Sequence, residues 1–179
     1  MNIKNNKGFS LVEVLAAIII LLLVTSGIVT GVVLSKRQYQ SSITYSKASE
    51  LYNSLSSLIN NELKFTNQIK TDGENLISFY SVSYATKSDL TEFSVIDGNG
   101  SESNEYGQLI LRSASNSSDI KRILSNGAYT NELGCKLDSL TYKEGIFTVT
   151  LSIGTSDKTI ITKTFNVRPL NVIVVNKDN

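Results

Sequence analysis

The chain has 179 residues, and its 17 Lys and Arg nearly balance 16 Asp and Glu, for a net charge of +1. That balance leaves no basic footprint for nucleic acid. With no His and a single Cys, Cys135, the chain has no His-based metal site or catalytic dyad and forms no disulfide within itself.

The first segment is a short basic leader, with Lys4 and Lys7 and no acid. It leads into Lys7-Gly8-Phe9-Ser10-Leu11-Val12-Glu13, and from Val14 to Ser35 there is no Asp, Glu, Lys or Arg. As a helix those residues would span about 33 Å at 1.5 Å rise per residue, enough to cross the hydrocarbon core of a bilayer. A secretory signal would have a shorter apolar core ending at a small-residue cleavage site, whereas Ser35-Lys36-Arg37-Gln38 follows here. An uncleaved anchor fits better, with Lys4 and Lys7 on the cytoplasmic side, but it leaves Glu13 without a reason. Locally, Ser10-x-x-Glu13 before an apolar run is a capping-box pattern, and a carboxylate in the first turn favours the helix dipole. In a membrane the same carboxylate costs about 2.5–3.5 kcal/mol at the bilayer centre and less toward the interface. No cation follows before Lys36, so a partner from another chain is the natural solution.

The stretch Lys7-Gly8-Phe9-Ser10-Leu11-Val12-Glu13 resembles the prepilin motif of type IV pilins and pseudopilins. The resemblance covers residues 4 to about 35. It implies that a membrane peptidase cuts between Gly8 and Phe9 and methylates the new N-terminal Phe9. It also implies that Glu13 pairs with the N-terminal amine of a neighbouring subunit during assembly. Cleavage would remove Lys4 and Lys7, leaving 15 cationic side chains against 16 acidic ones, a side-chain net of −1. Many family members also carry a C-terminal disulfide loop. With Cys135 alone this chain lacks one, which points to a Gram-positive source or a pseudopilin. Cys135 itself reads as a small buried apolar residue.

Farther along the run, Gly27-x-x-x-Gly31 is a small-xxx-small spacing that suits close helix–helix contact. Many relatives hold a Pro in this region. Here Thr25, Ser26 and Thr30 accompany the two Gly instead. After Lys36-Arg37 the pattern becomes amphipathic, with Ala48, Leu51, Tyr52, Leu55, Leu58, Ile59 and Leu63 at three- and four-residue steps. No Pro or Gly interrupts residues 32 to 72. One helix from about Phe9 to about Lys64 is expected, roughly 84 Å long.

Beyond Thr71-Asp72-Gly73 the period shifts to two. Strands are expected at Leu76–Tyr84, Leu90–Ile96, Tyr106–Arg112 and Asp119–Leu124, with Asp97-Gly98-Asn99-Gly100 as a loop. Leu137–Tyr142, the turn Lys143-Glu144-Gly145 and Ile146–Ile153 read as a hairpin. A turn at Gly154–Lys158 and a strand at Thr159–Val167 follow, ended by Arg168-Pro169. Phe147, Val149, Leu151 and Ile153 are the inward candidates, with Ile161, Phe165 and Val167 behind them. The expected fold is α+β, an antiparallel sheet packed on the second half of the long helix. Its segments are a leader (1–8), an apolar assembly half of the helix (9–35), an amphipathic half (36–66) and a β-rich head (67–179).

The head offers little chemistry. Asp97-x-Asn99-x-Ser101 echoes the start of a calcium loop, but Glu102 and Gln108 stand where Gly and Glu are needed. Asn99-Gly-Ser101 and Asn116-Ser-Ser118 match the short glycosylation pattern. No nucleophile–base cluster stands out, so neither catalysis nor a cofactor or metal is expected. By resemblance the chain is a structural subunit of a type IV pilus-like filament, a minor pilin. Its partners are prepilin peptidase, other pilins or pseudopilins in a helical filament, and the assembly platform protein and ATPase of the machine. The location is the cytoplasmic membrane before assembly and the cell surface afterwards. A pseudopilin of a secretion or DNA-uptake system and a non-polymerising membrane-anchored binding module are the alternatives.

Overall fold

A computed structural model of the chain describes residues 10–84, 90–97, 99–103, 105–130 and 132–176. The long helix, α1, runs Leu11–Phe65 without a break. It carries Glu13 in its first turn and Lys64 in its last, the charge signs that suit the helix dipole at each end. The expected start at Phe9 lies outside the described residues.

Two compact units divide within this helix, residues 1–43 and 44–179. In the first unit, every large apolar side chain from Leu11 to Leu34 is exposed. The most apolar 18-residue window has a mean hydropathy of 2.7, and none of it is buried within the chain. A helix apolar on all sides belongs in lipid or inside a bundle.

In the second unit the helix changes character. Ala48, Leu51, Tyr52, Leu55, Ile59 and Leu63 are buried along one stripe. Leu58, at the stripe's margin, is half-buried. They join the sheet in one core cluster with Ile69, Phe79, Leu109, Leu111, Phe147, Val149, Leu151 and Ile153. Ring contacts extend it, with Phe165 edge-on to Tyr52 at 6.4 Å and Lys163 over the Tyr52 ring.

The strands are β1 (Gln68–Asp72), β2 (Asn75–Phe79), β3 (Thr91–Ile96), β4 (Gln108–Ser113), β5 (Ile120–Arg122), β6 (Gly134–Lys143), β7 (Ile146–Thr155), β8 (Lys158–Val167) and β9 (Ile173–Asn176). They form one sheet in the order β5-β4-β3-β2-β6-β7-β8, with β1 pairing β2 and β9. Every pair is antiparallel except β1–β9, which is parallel. The strongest part is the meander β6–β7–β8. Lys143 pairs with Ile146, leaving a two-residue turn of Glu144 and Gly145. Both have positive φ, 52° and 80°. This is the turn twist that matches two antiparallel strands, and Gly supplies it at little cost. Phe147, Val149, Leu151 and Ile153 are all fully buried, and Ile161 and Val167 are buried beside them. The opposite face carries a polar ladder, Thr148–Asn166, Thr150–Thr164 and Ser152–Thr162 at 3.1, 3.0 and 2.7 Å. One face is apolar core and the other carries the polar side chains, with Ser152 buried among them, as the alternation requires.

Several strand limits differ from those read in the sequence. β2 ends at Phe79, although alternation continues to Tyr84. The chain leaves the ladder because Ser81 Oγ donates to Glu62 Oε2 at 2.6 Å and accepts the Tyr84 N–H at 3.0 Å. Such side-chain bonds compete with the sheet for the backbone. β4 starts at Gln108, not Tyr106, because Gly107 is drawn into an isolated bridge with Cys135. There a side chain has no room, since a Cβ on Gly107 would lie 2.2 Å from the Ile96 carbonyl oxygen. Gly154 and Thr155 remain in β7 across a register shift, and the turn is Ser156-Asp157. β8 does end at Val167, ahead of Pro169.

Candidate assembly site at the helix N-terminus

A helix start leaves four backbone N–H groups without a partner in the helical ladder, and side chains can supply one. Ser10 Oγ accepts the Val12 N–H at 3.3 Å, and the Ser10 N–H donates to Glu13 Oε2 at 2.9 Å. The Val14 N–H donates to the Ser10 carbonyl at 3.2 Å, which opens the helical ladder. Ser10 is therefore the N-cap, its hydroxyl on the second helical N–H, and Glu13, the third helical residue, makes the return bond of a capping box. Among the described residues no Lys or Arg forms an ion pair with Glu13. Beside the carboxylate, Val14, Ala17, Ile18 and Leu21 line an apolar groove along the helix. Gly8 and Phe9, the expected cleavage and methylation positions, lie outside the described residues.

Gly27 and Gly31 lie about four and five turns beyond Glu13, and an added Cβ at either would meet nothing within 4 Å. The hydroxyls around them bond backward to the helix. Thr25 Oγ1 donates to the Leu21 and Leu22 carbonyls, Ser26 Oγ to Leu23, and Thr30 Oγ1 to Ser26. This satisfies polar groups in an apolar segment and leaves the helix surface without a free hydroxyl donor at those positions.

The head's polar groups are largely consumed in structure. Asp97 Oδ1 accepts the N–H groups of Asn99 and Ser101, both at 2.9 Å. Glu102 pairs with Arg112 at 2.5 Å, and Arg112 also holds Glu92 at 2.6 Å. Asp97 thus closes the loop on itself, and Glu102 ties it to Ser94 of β3 and Arg112 of β4. Among the described residues no group of three or more His, Cys, Asp or Glu side chains is gathered to hold a metal. The sequence reading did not single out Glu62, which is buried and clasped by Ser81. A carboxylate directly beside Leu63 of the apolar stripe was the available signal.

Cys135 is fully buried, as expected of an apolar structural residue. Burial pushes its thiol up to about 12, only partly offset by a hydrogen bond with Tyr129. Tyr129 is itself raised by burial and accepts the Leu109 N–H at 3.0 Å. Since the thiolate is the reactive species, the folded chain should resist iodoacetamide at pH 8 and react promptly once denaturant is added. Mass spectrometry of the two samples gives the check. Because the folded value lies above the unfolded one, the thiol's contribution to stability is complete below the unfolded value and is lost as pH rises toward about 12.

These features define a class: a precursor held by one apolar helix and carrying a β-rich head, with a capped carboxylate at the helix head. The family model described as the prokaryotic N-terminal methylation motif matches residues 3–29, which include Gly8, Phe9 and Glu13. That motif is the signature of type IV pilins and pseudopilins, a structural rather than enzymatic family, and it supports a type IV pilin-like precursor. The motif implies processing by prepilin peptidase and assembly with other pilins. No match is found among curated proteins or among solved structures.

Proposed function

We propose that the chain is a minor pilin of a type IV pilus-like filament, stored in the cytoplasmic membrane until assembly. Residues 1–8 are the leader. Peptidase cleaves between Gly8 and Phe9 and methylates Phe9, and Glu13 then receives the N-terminal amine of a neighbouring subunit. Residues 9–35 leave the lipid for a bundle of like helices, with Gly27 and Gly31 at close contacts. Residues 36–66 and the head from 67 to 179 face outward at the cell surface. The platform protein and ATPase of the machine supply extraction and energy. The observation that carries this reading is the methylation motif at residues 3–29 on a helix whose large apolar side chains from Leu11 to Leu34 are exposed.

A second reading, a pseudopilin of a secretion or DNA-uptake system, is favoured by the buried single Cys135, which leaves no disulfide loop. Neighbouring genes for a secretion channel or competence machinery would select it. The processing step is tested by N-terminal sequencing and intact mass from cells that hold the peptidase. The mature chain should begin at methylated Phe9. Retention of Met1-Asn2-Ile3-Lys4 would overturn the reading.

A further inference from the structure

We infer that Ser10 is a positioning residue for Glu13, holding its carboxylate ready at the helix end for an incoming amine. The inference rests on the reading above that Glu13 receives that amine. A free Glu side chain samples many rotamers, and fixing one of them costs conformational entropy. Here part of that cost is met before any partner arrives. Glu13 folds back so that Oε2 takes the Ser10 N–H at 2.9 Å. Ser10 can present that N–H because its own hydroxyl, bonded to the Val12 N–H, fixes it in the N-cap conformation.

The capping bond gains weight on assembly. While the helix head lies near water, an uncapped Val12 N–H can be solvated. Inside an apolar bundle it cannot, and an unsatisfied amide there is costly. The Ser10 hydroxyl therefore favours the assembled state over the membrane-held one, besides aiming the carboxylate. In this scheme Glu13 supplies the charge and Ser10 the geometry. Their separation is chemical, so it can be tested without altering the charge.

The experiment compares Ser10→Thr with Ser10→Val in the full chain expressed in its assembling host. The two side chains have nearly the same shape, and only Thr can cap. The readout is the ratio of sheared filament to processed membrane pool, which removes any difference in cleavage. Thr should stay within about twofold of the parent, and Val should fall about fivefold, the effect of losing one cap. Equal incorporation of the two variants, whether high or low, overturns the inference. Glu13→Ala is run in parallel. If Glu13→Ala is excluded from filaments while Ser10→Val assembles normally, only the positioning role of Ser10 fails. If Glu13→Ala itself assembles normally, the assembly reading fails and this inference with it.

Discussion

Replacing Phe147 by alanine should destabilise the head by about 3–5 kcal/mol, the usual cost of emptying a fully buried aromatic site. Phe147 has no exposed surface and lies in the middle of the strongest part of the sheet. It pairs across the ladder with Tyr142 on one side and Val167 on the other. Its ring centroid is 4.8 Å from that of Tyr142. Neighbours on two strands cannot collapse into the void without breaking their own register, so little relaxation will offset the cavity. Domains of this size have about 5–15 kcal/mol of stability in total, so the variant should unfold at a sharply lower temperature. Ile146→Ala is the matched control. Ile146 is the adjacent strand residue, and 37% of it is exposed. Its loss should cost about 1–2 kcal/mol, well below the Phe147 effect, since the burial of apolar area scales the cost. Thermal unfolding of the full chain in detergent, followed through the sheet's circular dichroism, reads both. Equal midpoints for the two variants would contradict the placement of the core.

The same strand explains which parts of this fold can be read from a sequence. Phe147, Val149, Leu151 and Ile153 alternate with Thr and Ser, and a two-residue turn precedes them. Register and facing then follow from local order alone. The helix was equally plain, because its stripe from Ala48 to Leu63 repeats at the helical period and nothing breaks it. β1 and β9 carry no such local pattern. β1 is five residues with two charges, Gln-Ile-Lys-Thr-Asp, and only Ile69 and Thr71 are buried. β9 pairs with it in parallel across about a hundred residues of chain. A parallel pair of remote segments leaves no turn signal to announce it. The end of β2 is hidden in the sequence for a different reason. The Ser81 bonds that turn the chain away depend on Glu62, which lies on α1. Long-range polar bonds of this kind carry no periodicity. At the helix head the capping box was legible because all its parts lie within four residues. Whether Glu13 serves only as a cap is a separate matter, and a substitution answers it.

Glu13→Ala should insert and be cleaved normally but should be at least about 100-fold depleted from filaments. The argument runs on the cost of an orphan charge. Processing would give each subunit an N-terminal amine at the head of an apolar helix. In the membrane that amine can stay at the wet interface. In a bundle of helices it is enclosed by side chains such as Val14, Ile18 and Leu21, which are exposed on the isolated chain and must be covered on assembly. Removing one partner of a buried ion pair costs about 3–5 kcal/mol, because the other charge remains without compensation. At 1.4 kcal/mol per tenfold this is two to three and a half decades in the assembly equilibrium. The membrane step moves in the opposite direction. Deleting a carboxylate from a spanning segment makes insertion easier, so a lower amount of precursor is not expected. The result is an accumulated, processed, membrane-held pool with almost no sheared filament. Glu13→Gln separates the two roles of the residue. Gln can still reach back to the Ser10 N–H and complete the capping box, yet it brings no charge. If charge is what the site supplies, Gln will be excluded nearly as strongly as Ala. If Gln assembles at the parent level while Ala does not, the carboxylate acts only as a cap, and the amine must find its counter-charge elsewhere.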